Sequence, residues 1–327
     1  MRLSVIVPVR DGARFLESSL PALAATLPEA AELIVSDDGS SDGSAEVASR
    51  LGARVVRSAT STGPAAARNR AAREAAGDVL VFVDADCRVH GDTLARLTAP
   101  LEDTAIAASF GSYDAEPAAR SWISLYKNLA HHFVHQRSSR EASTFWAACG
   151  AVRTTAFRAV GGFDVSYVRP SIEDIELGYR LRRGGHRIRL TTDAQVTHLK
   201  RWTLLGFLAT DLRDRAVPWA RLWRAGHALP RELNLSVADR LASALVAVGV
   251  STLAARFFLP VPLAIGAACI VLALTVDAPL LAFFARTVSP AFVPVAALLQ
   301  LLHRVSGLAG LAIGLALPAL PNRRPSP

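Results

Sequence analysis

The sequence lacks the residues and motifs that mark several common classes of protein. Its three cysteines are odd in number and show neither disulfide nor metal-ligand spacing, which indicates a reducing compartment. No G-x-G-x-x-G follows the first predicted strand, and no G-x-x-x-x-G-K-[ST] occurs, which argues against dinucleotide oxidoreductases and P-loop kinases. Because H-E-x-x-H and paired C-x-x-C are also missing, we predict no zinc site.

Acidic residues are nearly absent from the last quarter of the chain. Residues 241–327 hold five arginines, no lysine and one acid, Asp277. Uncharged runs cover 241–255, 257–276 and 305–321. About 20 apolar residues span a bilayer core, so we predict two to four membrane segments within 241–321. Prolines interrupt the pattern and favour interfacial or re-entrant pieces, and 322–327 forms a short basic tail.

Basic residues and tryptophans alternate just before this apolar tail. Between residues 200 and 240 there are eight basic residues, four acids and three tryptophans. This mixture is typical of amphipathic helices at an anionic membrane surface, which we predict for 206–240. A nucleic-acid surface would explain the charge but not the tail, so no nucleic-acid partner is predicted. The positive-inside rule then predicts a multi-pass protein of the cell membrane, with the first 240 residues in the cytoplasm.

Strand and helix patterns alternate in the first half of the chain. Short, apolar, β-branched runs predict buried strands, and an Ala/Arg-rich segment at 64–76 predicts a helix that stops at Gly77. The opening "MRLSVIVPVRDG" is too short in its apolar run for a signal peptide and is itself a predicted strand. This alternation predicts an α/β domain with a parallel sheet, placed at 1–205.

Aspartates follow two of the predicted strands. "VFVDADC" ends in Asp84 and Asp86, whose side chains leave the strand on the same side, and "LIVSDD" ends in Asp37 and Asp38. Ligands of open α/β sheets bind at the carboxyl ends of the strands. Carboxylates without soft ligands favour Mg²⁺ or Mn²⁺, the cations that bridge diphosphate oxygens. For Asp84 and Asp86 the alternative is that they only cap the following helix.

A second acidic segment reads "GGFDVSYVRPSIEDIELGYRLRRGG". Here Ser171 is a predicted N-cap of a helix that contains Glu173 and Asp174 and ends at 184–185. Acids in a first turn are favoured by the helix dipole, whereas in a cleft one of them could act as a general base, and both explanations stay open. Further on, "HLKRW" offers His198 to a metal or phosphate and Arg201 to a diphosphate.

Taken in order, "VSDDGSSDGS", "AAARNRAAREAAGDVLVFVDADC", "GGFD…EDIELGYRLRRGGHRI" and "HLKRW" resemble the family 2 glycosyltransferases with the GT-A fold. This resemblance covers residues 3 to about 202. It implies a Rossmann-like nucleotide-diphospho-sugar transferase domain, and the remainder resembles members that carry a C-terminal helical membrane anchor.

The resemblance also implies a role for each motif. Asp84 and Asp86 would form the D-x-D motif, with Asp86 as the direct ligand of Mn²⁺ or Mg²⁺, Asp84 at the ribose or metal, and His198 as a further candidate ligand. Asp174 would be the catalytic base. The remaining donor-binding candidates are Pro8, Asp37, Asp38, Arg68, Arg201 and Trp202. The acceptor-binding candidates are Trp146 and Glu173, while His131 and His135 are candidates for a phosphate.

The predicted function is therefore an inverting, metal-dependent transfer of a sugar from a nucleotide-diphospho-sugar to a hydroxyl or phosphate, with a lipid-linked or membrane-adjacent acceptor. Processive synthases carry Q-x-x-R-W, where this chain has His198, and they begin with membrane helices, so we expect a single transfer. The alternatives are a sugar-nucleotide nucleotidyltransferase, which would need a glycine-rich basic loop after its first strand, and a non-catalytic membrane scaffold with a degenerate fold.

Overall fold

The computed structural model describes residues 1–226, 236–260 and 262–318, which form two compact units. The first unit consists of Met1–Ala119 and Ser139–Arg201, and the second of Arg120–Ser138 and the described part of Trp202–Asn322. The predicted domain 1–205 is continuous, whereas the first unit is interrupted by 120–138. The predicted domain boundaries stay predictions, and the basic tail 322–327, like residues 227–235, lies outside the described residues.

All nine strands in the described ranges belong to one sheet in the first unit. They are β1 Leu3–Val9, β2 Glu32–Asp37, β3 Arg54–Arg57, β4 Val79–Val83, β5 Cys87–Val89, β6 Ile106–Tyr113, β7 Glu141–Ala142, β8 Cys149–Arg153 and β9 Arg187–His198. The α-helices are α1 Ala13–Ala24, α2 Ser44–Arg50, α3 Pro64–Glu74, α4 Thr93–Thr98, α5 Trp122–Arg137, α6 Thr154–Ala159, α7 Glu173–Arg183, α8 Leu204–Ala209, α9 Val217–Arg224, α10 Val237–Ala255, α11 Leu263–Val276, α12 Ala278–Thr287 and α13 Val293–Ala316.

The sheet has the strand order β3-β2-β1-β4-β8-β6-β9-β5, and β7 pairs with β9. Strands β1 to β4 are parallel, as the sequence predicts. Beyond β4 the sheet is mixed, because β8 runs antiparallel to both β4 and β6. The start of β8 therefore lies beside the end of β4, where Cys149 pairs with Val83. This reversal brings the loop before β8 to the carboxyl edge of the parallel strands.

Strand β4 is buried on both faces, which explains its unbroken apolar sequence. Val79, Val81 and Val83 belong to the main core cluster beneath the sheet. On the opposite face, the Phe82 ring lies 5.6 Å from Phe157 and 5.1 Å from Phe163. Burying each such side chain contributes roughly 1.5–3 kcal/mol, so the strand that carries the two aspartates is firmly held.

Two predicted helix boundaries can be compared with the structure. Helix α3 has Pro64 at its first position and ends at Glu74, two residues before the predicted end. Helix α7 begins at Glu173 with Ile172 at its N-cap position, one residue after the predicted N-cap Ser171. The backbone N–H of Ser171 donates to Glu173 Oε2 at 2.8 Å and joins the preceding turn to the start of the helix.

The second unit is helical throughout its described elements. A π-helical stretch, Thr210–Ala216, joins α8 to α9, so that residues 204–224 form one continuous helical segment. Among the described residues, two helical segments are long and apolar enough to cross a membrane, namely α10 and Pro290–Ala316. Helices α11 and α12 would be a third if that pair, bent by 59°, is one span. The uncharged run 257–276 is long enough to span a bilayer, and its prolines predict an interruption. Its helix begins only at Leu263, because Pro260 and Pro262 break the first part.

Candidate active site

The aspartates that follow β4 have different partners. Asp84 Oδ1 accepts a 2.7 Å hydrogen bond from Arg68, whereas Asp86 Oδ2 lies 3.3 Å from His198 Nε2. Burial raises the pKa of Asp84, and the charge of Asp86 adds to this effect. Burial alone would also raise the pKa of Asp86, but the hydrogen bond and charge of His198, with the charge of Lys200, outweigh it and lower that pKa. Asp86 is therefore the more readily ionised member of the pair.

Arg68 on α3 connects the two acidic motifs. Its side chain is buried, with Nη2 donating to Asp84 Oδ1 and Nη1 donating to Glu173 Oε1 at 2.9 Å. The guanidinium carbon also lies 5.4 Å from the centre of the Phe163 ring. The two carboxylates raise the pKa of Arg68 despite its burial, so the residue is a permanent cation. It therefore fixes the end of β4 to the start of α7.

Asp174 occupies the second position of α7 and differs from Glu173 in its contacts. Its Oδ2 accepts from the Ala147 N–H at 3.1 Å, and its Oδ1 accepts from the Ile175 N–H at 2.8 Å. Burial raises the pKa of Asp174 to about 7, and the negative charge of neighbouring Glu173 acts in the same direction. A partly exposed carboxyl with this pKa can take up and release a proton near neutral pH.

An aromatic chain connects Asp86 to the loop that binds Asp174. The His198 ring is stacked on Tyr113, with centroids 4.5 Å apart and planes 14° apart. Tyr113 meets Trp146 edge to face at 4.9 Å. Trp146 precedes Ala147, whose N–H binds Asp174. Sequence reasoning missed Tyr113, because its only signal is its position at the end of a strand, β6.

The charges and donor atoms at this edge suit a hard divalent cation. Asp84 and Glu173 share one buried guanidinium, and Asp86 adds an oxygen beside the imidazole nitrogen of His198. The neighbouring Cys87 is a poor ligand, because burial raises its thiol pKa well above the ordinary value. Within the described ranges, no three His, Cys, Asp or Glu side chains form a complete metal cage. A cation here would take further ligands from a bound diphosphate or from water.

The predicted nucleobase contacts, Asp37 and Asp38, are enclosed by the protein. Asp37 is fully buried, accepts from the Ser40 N–H and faces Arg57 Nε at 3.1 Å. Asp38 is 4% exposed and accepts hydrogen bonds from the loop before α3, made by Ser61, Thr62 and Gly63. Both carboxylates thus shape the turns at this edge. Their contact with a nucleobase, like that of half-buried Pro8 in β1, stays a prediction.

The remaining candidates are Arg201, Trp202, His131 and His135. Arg201 is exposed at the end of the first unit. Trp202 belongs to the second unit, where its backbone N–H donates to Ser124 Oγ at 2.8 Å and its ring lies 5.7 Å from Lys127 Nζ. His131 and His135 also belong to the second unit, with ring centroids 3.9 Å apart on α5. Their predicted roles are not tested by these contacts.

The first half of the sequence matches a known protein family. Residues 4–161 match the model of Glycosyl transferase family 2. The chain contains a family 2 glycosyltransferase domain. This match confirms the predicted family and the predicted enzyme class.

Three relatives show what this glycosyltransferase is similar to in sequence. It is 29% identical over 246 residues to the succinoglycan biosynthesis protein ExoA of Rhizobium meliloti, covering 66% of this chain and 72% of the relative. It is 29% identical over 221 residues to the pre-mycofactocin glycosyltransferase of Mycobacterium tuberculosis, covering 63% of this chain and 44% of the relative. It is also 29% identical to the validoxylamine A glucosyltransferase of Streptomyces hygroscopicus subsp. limoneus, covering 56% of this chain and 48% of the relative. The glycosyltransferase thus spans less than half the length of two of these relatives.

Solved structures confirm the predicted GT-A fold. The mannosyltransferase PcManGT from Pyrobaculum calidifontis, in complex with GDP-Man and Mn²⁺, has a TM-score of 0.61 at 21% identity and covers 92% of this chain and 87% of its own. GalNAc-T7 with UDP, GalNAc and Mn²⁺ has a TM-score of 0.50 at 18% identity, and the match covers 63% of this chain and 44% of GalNAc-T7. At these identities the likeness establishes the fold alone.

Proposed function

We propose that the glycosyltransferase is an inverting, metal-dependent enzyme that transfers one sugar from a nucleotide-diphospho-sugar in a single displacement. The observation that carries this proposal is the Arg68 bridge between Asp84 and Glu173, with Asp174 beside it. This bridge joins the residues proposed to hold the donor to the helix proposed to supply the base. Such an arrangement serves a reaction in which bond breaking at the donor and proton removal from the acceptor occur together.

The donor half of the site is proposed to use Mn²⁺ or Mg²⁺ held by Asp86, with Asp84 and His198 as further ligands. When bound, the cation would neutralise negative charge on the diphosphate leaving group. The two similar folds solved with Mn²⁺ support this proposal by analogy. Arg201 and Trp202 are proposed to add contacts to the donor, and Arg68 to act by positioning Asp84.

The acceptor half of the site is proposed to use Asp174 as the general base. An acceptor hydroxyl gives its proton to Asp174, and its oxygen attacks the anomeric carbon as the bond to the diphosphate breaks. The nucleoside diphosphate leaves from the opposite face, so the configuration inverts. Because both oxygens of Glu173 are engaged by Arg68 and Ser171, we assign Glu173 a positioning role and assign acceptor stacking to Trp146.

A membrane-linked acceptor is the second part of the proposal. The apolar helices of the second unit support an enzyme at the cell membrane, on an anionic surface and with its active site in the cytoplasm. A lipid-linked acceptor is then the form in which a growing sugar chain stays at that surface. Purified enzyme that glycosylates water-soluble acceptors and ignores lipid extracts would contradict this part alone.

The test is release of nucleoside diphosphate from a panel of UDP-, GDP- and dTDP-sugars by isolated membranes, with Mn²⁺ or EDTA and with lipid extract as acceptor. We expect release with one donor, its loss in EDTA, and a 10²- to 10⁴-fold loss in Asp174→Asn. Asp193→Asn, which changes an exposed aspartate on β9, is the matched control. Full activity of Asp174→Asn would contradict a hydroxyl acceptor, since a phosphate acceptor needs no base.

Two other functions predict different products in the same assay. A nucleotidyltransferase would release pyrophosphate from a nucleoside triphosphate and a sugar phosphate. A non-catalytic scaffold would release neither product. The Arg68 bridge and the raised pKa of Asp174 favour the transferase, because a scaffold has no need to keep carboxylates together at this cost.

A further inference from the structure

Helices α10 and α11 form a hairpin in the second unit whose backbones touch. A Cβ atom placed on Gly249 or Gly266 would lie 3.1 Å from the carbonyl oxygen of the other glycine. Small residues at such a crossing are typical of helix pairs that pack inside membranes. The two glycines therefore let the helices approach closely, with Ile270 packed against Gly249 and Leu253 packed against Gly266.

The outer half of this hairpin exposes a large apolar surface. Phe257 and Phe258 at the tip are 88% and 87% exposed. Other apolar side chains that are at least 40% exposed are Val248, Val250, Leu259, Leu263, Ile265, Val271 and Leu272. Between residues 241 and 276 the only charged residue is Arg256. A projection of this composition is unfavourable in water and favourable in hydrocarbon.

The inner end of the hairpin is polar and charged, and we call it the hairpin base. Arg304 of α13 donates to both oxygens of Asp277, which follows α11, and to Ser243 Oγ near the start of α10. Its Nη1 also donates to the backbone carbonyl of Asp239. Arg304 therefore brings together the start of α10, the end of α11 and the middle of α13.

A charged helix lies beside α13, which bears on whether α13 can cross the bilayer. His303 Nδ1 lies 2.5 Å from Asp211, and a Cβ atom on Gly310 or Gly314 would meet backbone or Cβ atoms of residues 212–220. Arg224 donates to carbonyls at the end of α13. Residues 211–215 alone carry four charges, Asp211, Arg213, Asp214 and Arg215. If α13 crossed the bilayer along its axis, these charges would enter the hydrocarbon beside its central residues, which is costly.

We propose that the α10–α11 hairpin is the element that enters the hydrocarbon, and that α13 and the segment 204–224 lie at the membrane surface. From Ser243 in the hairpin base to its last residue, Ala255, helix α10 extends about 18 Å at 1.5 Å per residue, and the tip residues continue beyond it. A hydrocarbon core is about 30 Å thick. The tip thus ends in the far leaflet, both ends of the hairpin return to one side, and Arg256 reaches the far headgroups by extending its side chain.

The proposal is tested by measuring the depth of two matched positions in the full-length protein. Ser251→Cys lies about 12 Å along α10 from the hairpin base, and Ser306→Cys lies in the middle of α13. Each is made with Cys269→Ala, labelled with the fluorophore NBD in detergent, and reconstituted into phosphatidylcholine–phosphatidylglycerol vesicles. Cys87 and Cys149 are fully buried and should contribute little labelling. The Cys269→Ala variant without an added cysteine measures this background.

We expect dithionite to reduce the label at residue 306 at least tenfold faster than the label at 251. Spin labels at the bilayer centre should quench residue 251 more strongly than spin labels near the headgroups. Equal protection of both positions would show that α13 also crosses and would overturn the proposal. If the label at residue 251 stays protected without vesicles and the protein is dimeric, the hairpin contacts a second copy of the chain. That result would also overturn the proposal. This measurement needs no activity, so its outcome is separate from that of the proposed function.

Discussion

Arg68 and Glu173 are 105 residues apart in the sequence and form a buried ion pair at 2.9 Å. The other arm of the same guanidinium binds Asp84. A planar donor with two arms suits this task, because each arm can serve a separate carboxylate in a fixed geometry. The positions of the D-x-D motif and of α7 are therefore set by one side chain.

Replacing Arg68 with an uncharged residue should destabilise the protein. Arg68→Met leaves two carboxylates without their partner, and we expect a loss of about 3–5 kcal/mol in the free energy of unfolding, together with loss of activity. Arg73→Met, on the exposed face of the same helix, should change stability by less than about 0.5 kcal/mol. Thermal and denaturant unfolding of the purified full-length variants measure both effects. Equal stability of the two variants would contradict the bridge.

The raised pKa of Asp174 predicts the pH dependence of the reaction. A general base works in its ionised form, so kcat/KM should rise with pH and level off above an apparent pKa of about 7. In Glu173→Gln the neighbouring negative charge is removed while Arg68 stays, which lowers the pKa of Asp174. The acidic limb of the profile should therefore move to lower pH. An unchanged limb in this variant would mean that another group controls the profile.

Gly178 lies where α7 packs closely against the neighbouring loop, so it should not tolerate a larger side chain. A Cβ atom at Gly178 would lie 2.4 Å from the Phe145 backbone nitrogen, so α7 rests directly on the loop that carries Trp146 and Ala147. We expect Gly178→Ala to lower stability by about 1–3 kcal/mol and to reduce activity, because it separates Asp174 from Ala147. Gly184→Ala at the end of α7 is the control, since its nearest contact is 3.3 Å. Similar unfolding midpoints for the two variants would contradict this packing.

Under the proposed function, replacing His198 should weaken binding of the divalent cation. Its imidazole lowers the pKa of Asp86 and is itself fixed by stacking on Tyr113. We expect His198→Gln to raise the Mn²⁺ concentration needed for half-maximal activity by about 10- to 100-fold. His186→Gln, in the turn before β9, should leave it unchanged. A metal titration of NDP release measures this, and a changed donor KM at an unchanged metal requirement would assign His198 to the donor instead.

The sequence predicted the parts of the fold that depend on local pattern. The apolar run before Asp84 is a buried strand, and the proline and glycine around 64–77 mark the limits of α3 closely. The parallel order of the first four strands follows from the alternation of strands and helices. These features are local, so periodicity and helix-ending residues are sufficient to find them.

Other features depend on tertiary contacts and could not be predicted. Nothing in the local sequence indicates that Asp38 binds the loop before α3, or that Glu173 is paired with Arg68. Tyr113 carries no motif, and it reaches His198 only because β6 and β9 are neighbours. The place of α5 in the second unit depends on distant residues such as Gln300, which lies 174 positions from Tyr126 and accepts its hydroxyl hydrogen bond.

The reversed direction of β8 separates the two halves of the proposed reaction along the chain. The end of β4 presents Asp84 and Asp86, and the loop that arrives from the opposite direction presents Trp146 and Ala147. Residues can be exchanged, added or removed in the arriving loop without shifting the register of β4 against β1. Recognition of a new acceptor can therefore evolve, or be engineered, while the handling of the donor is inherited unchanged.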